Sequence, residues 1–315
     1  LSNKGLNVLS LFDGISCGKL ALDRAGIKVD NYYSSEIDDN AIAISSANHN
    51  DIIRLGNVEE FDMWNLPEID LVIGGSPCQG FSRNGKGLNF DDPRSKLFFT
   101  YVDILKRIKA KKPNVKFLLE NVWMKKEWID TISEYLGVGA VELNSKILSA
   151  QYRLRMYWFN WDIEPPEDKG IILSNILDNV DTSGYINVGG LLFDPQISEQ
   201  SRNLVSLIEG EVRIRQATKQ GYIIAENGDG INLSFPTSKT RRGRVIKQKS
   251  STLDCACNIC VLHNGVIRYF TMSELEKLQT LPVGYTSSVS DVLAKKAIGN
   301  GWNVDTVTYL LTKLK

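Results

Sequence analysis

Leu71-Val72-Ile73-Gly74-Gly75-Ser76-Pro77-Cys78-Gln79-Gly80-Phe81-Ser82 is an apolar run that breaks into a glycine turn carrying a cysteine. A short apolar run bounded by glycines reads as a strand buried on both faces. Glycine lets the chain turn tightly as it leaves the sheet. In an open α/β sheet such a turn lies at the carboxyl edge, where ligands bind. A thiol there is a strong nucleophile once ionised. A small buried cysteine fits the same pattern, so the neighbouring segments have to decide.

On either side, strand and helix patterns alternate. Residues 6–12 read as a buried strand, residues 13–18 as a turn, and residues 19–25 as a short helix stopped by Gly26. Residues 32–35 predict a second strand, residues 41–48 a helix, and residues 69–73 the strand before the cysteine. Leu97, Tyr101, Ile104, Leu105 and Ile108 recur at helical spacing. Residues 116–119 predict a strand running into Glu120-Asn121-Val122. Residues 146–150 and 156–161 are expected as two strands joined through residues 151–155, an antiparallel hairpin at the sheet edge. This rhythm predicts an α/β fold with a mostly parallel, doubly wound sheet covered by helices on both faces.

The rhythm stops near Pro165-Pro166. From there to about Ser250 the chain is irregular and rich in Gly, Asn and Ser, with short strand-like pieces such as residues 221–224. Residues 201–250 hold ten Lys/Arg against four Asp/Glu, a local basic excess. Helical patterning returns at residues 273–281, 289–297 and 304–314, the last with Val304, Val307, Leu310, Leu311 and Leu314 on one face.

Composition narrows the class. The chain has 315 residues, 43% hydrophobic and 23% charged, enough for one large domain or a large and a small one. Lys+Arg and Asp+Glu both number 37, which argues against a polycation that coats nucleic acid but leaves basic stripes possible. Five cysteines, three of them crowded at Cys255, Cys257 and Cys260, do not read as a secreted disulfide framework; a reducing, cytoplasmic interior is expected. Zinc sites usually combine two well-separated ligand pairs, so this cluster is expected to be ordinary thiols and no metal is expected. Residues 6–12 are too short for a signal peptide, and no run approaches the roughly 18 apolar residues of a membrane span. Motif residues start almost at once, leaving no expected room for an N-terminal regulatory domain.

Several segments can carry chemistry. Phe12-Asp13-Gly14-Ile15-Ser16-Cys17-Gly18 is a glycine turn between a strand and a helix, where backbone N–H groups can approach an anionic part of a cofactor. Glu36 ends the second strand, where a carboxylate can accept hydrogen bonds from ribose hydroxyls. The full three-glycine dinucleotide fingerprint is missing, which weighs against NAD. A structural turn beside a surface glutamate is the plainer alternative. Glu120 caps a strand and faces the same crevice as Cys78; a partly desolvated carboxyl there can donate a proton near neutrality. Gln151, Arg153 and Arg155 share one side of an extended segment by the period of two. Paired guanidiniums can clamp a phosphate, orient a carboxylate or bond a base carbonyl. Lys239-Thr240-Arg241-Arg242-Gly243-Arg244 is a basic loop that can neutralise phosphates or bond guanine in the major groove.

Taken in order, FDGISCG, the strand-end Glu36, GGSPCQGFS, ENV, QYRLR, a variable basic stretch and GNGW resemble the DNA cytosine-C5 methyltransferase family. The resemblance covers roughly residues 6–161 and 251–315, and the wording LFDGI, LPVGYT and GNGW is similar to its de novo vertebrate branch and to compact phage and bacterial relatives. It implies a sheet of the S-adenosylmethionine-dependent methyltransferase type. It implies a catalytic domain of residues 1–165 and 251–315, and a small, irregular target recognition domain of residues 166–250. It implies that Cys78 attacks carbon 6 of a flipped-out cytosine. Glu120 would hold and protonate ring nitrogen 3, Arg155 would bond the ring carbonyl, and Arg153 would position Glu120 or a phosphate. The cofactor, S-adenosylmethionine, would be lined by Phe12, Asp13, Gly14, Ile15, Glu36, Ile37, Asn57, Val58, Pro77 and Leu97, and closed by Asn300, Gly301 and Trp302. DNA contacts would come from Gln79, Ser82, Arg241, Arg242 and Arg244.

Three departures stand out. Asn57 stands where the family often has Asp, Gly301 where Ser is common, and residues 244–253 match the ninth motif only loosely. The implied partner is double-stranded DNA, with no membrane and no obligatory protein partner. A transfer-RNA methyltransferase is the rival on the same scaffold, but its Cys-Phe-Thr signature is missing. A catalytically silent DNA-binding homologue is the other rival; such proteins tend to lose the nucleophile or the acid, and both are present here. The recognised DNA sequence, with CpG as a guess, and the service in restriction–modification, phage self-protection or regulation stay open.

Overall fold

The computed structural model describes residues 4–76 and 93–314, with residues 93–95 as backbone only. Two compact units make up the chain. The first is Leu1–Asn144, Leu154–Pro165 and Val304–Lys315; the second is Ser145–Arg153 and Pro166–Asn303. They cut the chain elsewhere than the composition does, because residues 145–153 and 251–303 group with the basic stretch.

The first unit runs β1 (Leu6–Leu11), α1 (Cys17–Arg24), β2 (Val29–Ser35), α2 (Asp39–Asn48), β3 (Ile52–Arg54), a 3-10 turn (Val58–Met63), β4 (Leu71–Gly74), α3 (Pro93–Lys111), β5 (Lys116–Val122), α4 (Lys126–Leu136), β6 (Val141–Asn144) and β7 (Leu154–Phe159). Its seven strands are ordered β3-β2-β1-β4-β5-β7-β6. β1 pairs parallel with β2 and β4, and β5 parallel with β4; β7 alone runs antiparallel to both its neighbours. The order reverses between β1 and β4, which opens a crevice outside their carboxyl ends. The Phe12–Ile15 turn leaves β1 there, and Gly75-Ser76 leaves β4.

The sequence explains this core. Val8, Leu9, Ser10 and Leu11 are all buried, as a sheet covered on both faces demands. Leu9, Leu11 and Val72 from the strands share one cluster with Phe98, Tyr101 and Leu105 of α3 and Ile132 and Leu136 of α4. Tyr101 packs its ring there and donates its hydroxyl to the Leu118 carbonyl at 3.1 Å. Gly74 is needed where it stands: a Cβ would come within 2.9 Å of the Leu11 carbonyl and 3.0 Å of the Tyr101 ring.

The expected hairpin exists, but with a different first strand. β6, not residues 146–150, pairs with β7. Residues 145–147 form a 3-10 turn instead, because the Ser145 carbonyl accepts the amides of Leu148 and Ser149. β6 also returns outside β7, so the antiparallel strand sits one place in from the edge.

The second unit is richer in strands than its composition announces. It holds β8 (Ile186–Val188), β9 (Leu191–Phe193), α5 (Glu199–Arg202), β10 (Val205–Ile208), β11 (Glu211–Arg215), β12 (Tyr222–Ala225), β13 (Gly230–Asn232), β14 (Arg244–Ile246), β15 (Cys260–His263), β16 (Val266–Tyr269), α6 (Met272–Leu278) and α7 (Asp291–Asn300). They form a three-stranded sheet, β10-β11-β12, and a six-stranded one, β14-β13-β15-β16-β9-β8. Leu191, Phe193, Ile214, Ile231, Leu262 and Ile267 make its core. Strands of three to five residues leave too little periodicity to read in advance. Finally α8 (Val304–Thr312) returns to the first unit and packs on α1, with Arg24 Nη1 2.8 Å from Asp305 Oδ1. Among the described residues, no helix is long and apolar enough to cross a membrane.

Candidate active site

In the first unit, β4 and β5 run parallel with Gly74 opposite Leu119, so Ser76 lies level with Asn121. The buried Asn121 side chain donates from Nδ2 to the Ser76 carbonyl at 3.3 Å and to its hydroxyl at 3.2 Å. Ser76 is thereby tied to the strand end that carries Glu120. Cys78 itself, with Pro77, Gln79 and Ser82, lies outside the described residues.

Glu120 and Arg155 meet across the β5–β7 pair. Val122 stands opposite Arg155 and Glu120 opposite Tyr157, so the two charged residues are diagonal neighbours on one face. Arg155 Nε lies 3.0 Å from Glu120 Oε1, with only 12% and 11% of the side chains exposed. Arg155 Nη1 also donates to the Leu154 carbonyl at 2.8 Å. A carboxyl and a guanidinium held together at a strand end can address neighbouring atoms of one planar ligand.

The turn after β1 is strained into a cradle. Phe12, Gly14 and Ser16 all have positive φ, near 57°, 55° and 61°. Asp13 holds this shape from inside. Its Oδ1 accepts the hydroxyls of Ser10 (2.6 Å) and Tyr32 (2.7 Å), and its Oδ2 those of Ser16 (2.5 Å) and Ser34 (2.8 Å). The Asp13 side chain therefore supports the turn from within. Glu36 closes the other side, accepting Gly14 N–H at 2.7 Å on Oε2, and Ile37 and Asp38 N–H at 2.7 and 2.8 Å on Oε1. A methyl group on Gly14 would meet nothing within 4 Å, so the cradle faces open space. An open glycine turn beside a fixed carboxylate fits a nucleoside-bearing cofactor. Asn57 has a second task that the sequence reading missed. It caps the 3-10 turn, its Oδ1 accepting Glu59 N–H at 3.1 Å, and Asn-x-Glu was the available signal. Val58 is buried and Leu97 packs half-buried against the same core.

The expected row of Gln151, Arg153 and Arg155 does not form, because only Arg155 lies in a strand. Arg153, 3% exposed, turns its guanidinium to backbone carbonyls of its own unit, the second: Leu253 at 3.3 Å, Gly299 at 3.2 Å and Gly301 at 2.8 Å. Gln151 is fully buried and donates to the Leu278 carbonyl (3.0 Å) and Gln279 Oε1 (3.1 Å). Asn300 ends α7 exposed, its Oδ1 accepting the Cys255 thiol at 3.2 Å. Gly301 is extended and Trp302 half-buried.

In the basic loop, the Arg241 guanidinium stacks 4.1 Å above the Phe235 ring and its backbone N–H bonds Ser238 Oγ at 2.9 Å. Arg244 is exposed, and Arg242 is half-buried with its Nε lacking a hydrogen-bond partner. Gly243 has φ near 54° and no room for a Cβ against the Arg215 carbonyl. Cys255 and Cys257 lie in a turn and not in a strand; Cys255 is exposed, and Cys257 and Cys260 are buried.

Comparison with known proteins converges on one family. The orphan methyltransferase M.Rho11sI of Bacillus phage rho11s is 44% identical over 119 residues, covering 37% of this chain and 23% of that protein, so the match spans under a quarter of the phage relative. The type II methyltransferase M1.ScrFI of Lactococcus lactis subsp. cremoris is 29% identical over 98% of this chain and 77% of its own length. The crystal structure of the S. pombe Dnmt2 methyltransferase superposes with a TM-score of 0.61 at 19% identity, covering 98% of this chain and 97% of that one, a likeness of fold. The family model for C-5 cytosine-specific DNA methylases matches residues 6–127 and 161–315, leaving the Gln151–Arg155 segment between its two parts. Because that match takes in well over half of its residues, this chain belongs to the C-5 cytosine-specific DNA methylase family.

Proposed function

We propose that this chain, as a member of a family of DNA cytosine-5 methylating enzymes, transfers a methyl group from S-adenosylmethionine to carbon 5 of cytosine in double-stranded DNA. The observation that carries the reading is the Glu120–Arg155 pair beside the Asn121–Ser76 tie. It supports reading Glu120 as the acid and Arg155 as the cation that binds the ring carbonyl, with Ser76 two residues before Cys78 in the sequence.

The target base must leave the helical stack before its ring can be attacked. The Cys78 thiolate then forms a bond to carbon 6 while Glu120 delivers a proton to ring nitrogen 3. Arg155 hydrogen-bonds the ring carbonyl oxygen and keeps Glu120 oriented. The electron pair displaced from the carbon 5–carbon 6 double bond makes carbon 5 the nucleophile. S-adenosylmethionine, when bound, supplies an electrophilic methyl group on a sulfonium that leaves as a neutral thioether. A base removes the carbon 5 proton, the sulfur–carbon 6 bond breaks, and the nitrogen 3 proton returns to Glu120.

The cofactor would be held by the cradle at Phe12, Asp13, Gly14 and Ile15, by Glu36 and Ile37, and by Asn57, Val58, Pro77 and Leu97. Asn300, Gly301 and Trp302 are assigned to the same donor. Residues 166–250 would recognise the target, with Arg241, Arg242 and Arg244 on the DNA together with Gln79 and Ser82. A cytoplasmic, DNA-associated setting belongs to the same proposal.

DNA carrying 5-fluorocytosine tests it. Fluorine at carbon 5 cannot leave as a proton, so the reaction stops with the base on sulfur. With donor present, the protein should give a denaturant-resistant adduct that Cys78→Ser does not form. Bisulfite sequencing of plasmid from expressing cells first supplies the site. Plasmid that stays unmethylated, or turnover that survives Cys78→Ser, would overturn the reading.

A further inference from the structure

We propose that Gln279 is a positioning residue that fixes the backbone of the Gly299–Trp302 segment and so tunes donor binding; this rests on the assignment of Asn300, Gly301 and Trp302 to the donor.

A helix leaves the carbonyls of its last turn without partners in the helix. Many helices solve this with a left-handed glycine after the end. α7 does not, since Gly301 is extended, with φ −67° and ψ 163°. Side chains take over. Gln279 Nε2 donates to the Ile298 carbonyl at 2.7 Å and to the Gly301 carbonyl at 3.2 Å, bridging the last helical turn to the residue beyond it. Gln279 Oε1 accepts from Gln151 Nε2 at 3.1 Å, which fixes which way the amide faces. Arg153 Nη2 adds bonds to Gly299 and Gly301.

The far side of the segment is fastened as well. Asn303 Nδ2 donates to Ser149 Oγ at 3.2 Å and to the Leu278 carbonyl at 3.1 Å. Gln279 is fully buried, and Arg153 and Asn303 are 3% and 1% exposed. Gly299 has no room for a Cβ because the Asp254 carbonyl presses on it. Asn300 and Trp302 therefore sit on a short strap held before and after, while Gln279 acts through the backbone of Gly301.

The test replaces the amide without changing the volume greatly. In Gln279→Met, the Kd and KM for S-adenosylmethionine should rise about tenfold, because buried carbonyls lose their donor and the strap relaxes. kcat at saturating donor and affinity for DNA should stay near wild type, which general loosening of the fold would not allow. Gln279→Glu serves should the methionine variant not fold. A protonated carboxyl can donate to the strap and an ionised one cannot, so donor affinity in that variant should improve as pH falls, measured against the wild type. Unchanged donor affinity in a folded Gln279→Met, equal losses for donor and DNA, or a pH-independent Gln279→Glu would each overturn the inference. A wild-type protein that fails to bind the donor would instead overturn the functional reading beneath it.

Discussion

Asn121 Nδ2 donates to both the carbonyl and the hydroxyl of Ser76, joining the strand end that carries Glu120 to the last described residue before the cysteine turn. The amide makes neither bond with the substrate, yet it sets the origin of the segment that carries the thiol. In Asn121→Ala that origin is free, and small misplacements of a reacting group are costly. Single-turnover methylation should slow by about tenfold or more. Donor affinity, measured by calorimetry, should stay unchanged.

Glu120→Gln keeps the shape of the pair but cannot give up a proton. The rate of methyl transfer should fall by roughly 10²–10⁴-fold, the usual contribution of a placed acid. Arg155→Lys loses the fork that meets both carboxylate and carbonyl, and should also be slow. Both variants should still bind DNA in gel-shift assays, since neither contact serves the duplex.

Arg241 is exposed on the basic loop and Arg244 at the start of β14, and Arg242 lies between them. If these side chains meet phosphates, each neutralisation should reduce the slope of log affinity against log salt by about one. Arg241→Gln with Arg242→Gln should therefore both weaken binding and flatten its salt dependence. Fluorescence anisotropy at several ionic strengths reads both effects. Gly243→Ala should mimic them without removing a charge, because the loop must move away from the Arg215 carbonyl.

Asp70 sits at the entry to β4 and accepts the Asn7 amide at 2.8 Å and the Lys112 ammonium. Burial works against its ionisation, but the hydrogen bonds from Lys112 and Asn7, with the Lys112 charge, hold its carboxyl below the usual range. A depressed value in the folded state stabilises above the unfolded value, near pH 4, and the gain disappears as pH falls through the lower folded value. Asp70→Asn should lower stability at neutral pH and make the loss below about pH 4 shallower. Urea unfolding at a series of pH values checks the slope.

Burial, reinforced by the Asp254 charge, pushes the Cys257 thiol up to about 12, and burial pushes Cys260 higher still. Cys17 is buried and Cys255 exposed. Of these four, only Cys255 should alkylate quickly in the native protein. Mass spectrometry after a short iodoacetamide pulse should find Cys17, Cys257 and Cys260 labelled only after denaturant is added.

Much of the first unit could be read in advance, because long apolar runs separated by glycine turns leave few alternatives. β1 and β4 follow that grammar, and α3 shows its apolar residues at helical spacing. The first strand of the hairpin did not, since Ile147 and Leu148 look like strand residues until the Ser145 carbonyl captures the amides that follow. Asp13 and Asn57 were expected beside a cofactor, and their places as the internal brace of the turn after β1 and as a helix cap were not legible. Those roles depend on hydroxyls and amides brought from other strands and turns. Gln279 carried no sequence signal at all: its partners Gln151, Ile298 and Gly301 are distant in the chain, and only folding brings them to one amide. The second unit resisted for another reason. Its sheets are assembled from strands so short that turn residues outweigh the alternation inside them.

The pairing of α1 with α8 has a consequence for biosynthesis. Arg24 and Asp305, bound to one another in the finished molecule, are made 281 positions apart. The buried positions Ala21 and Leu22 of α1 emerge before the second unit, whereas Val307, Leu310 and Leu311 of α8 emerge after it. A nascent chain thus carries an uncovered apolar helix face while the whole second unit is being translated, and a ribosome stalled before Val304 would hold a clientele-ready substrate for chaperones.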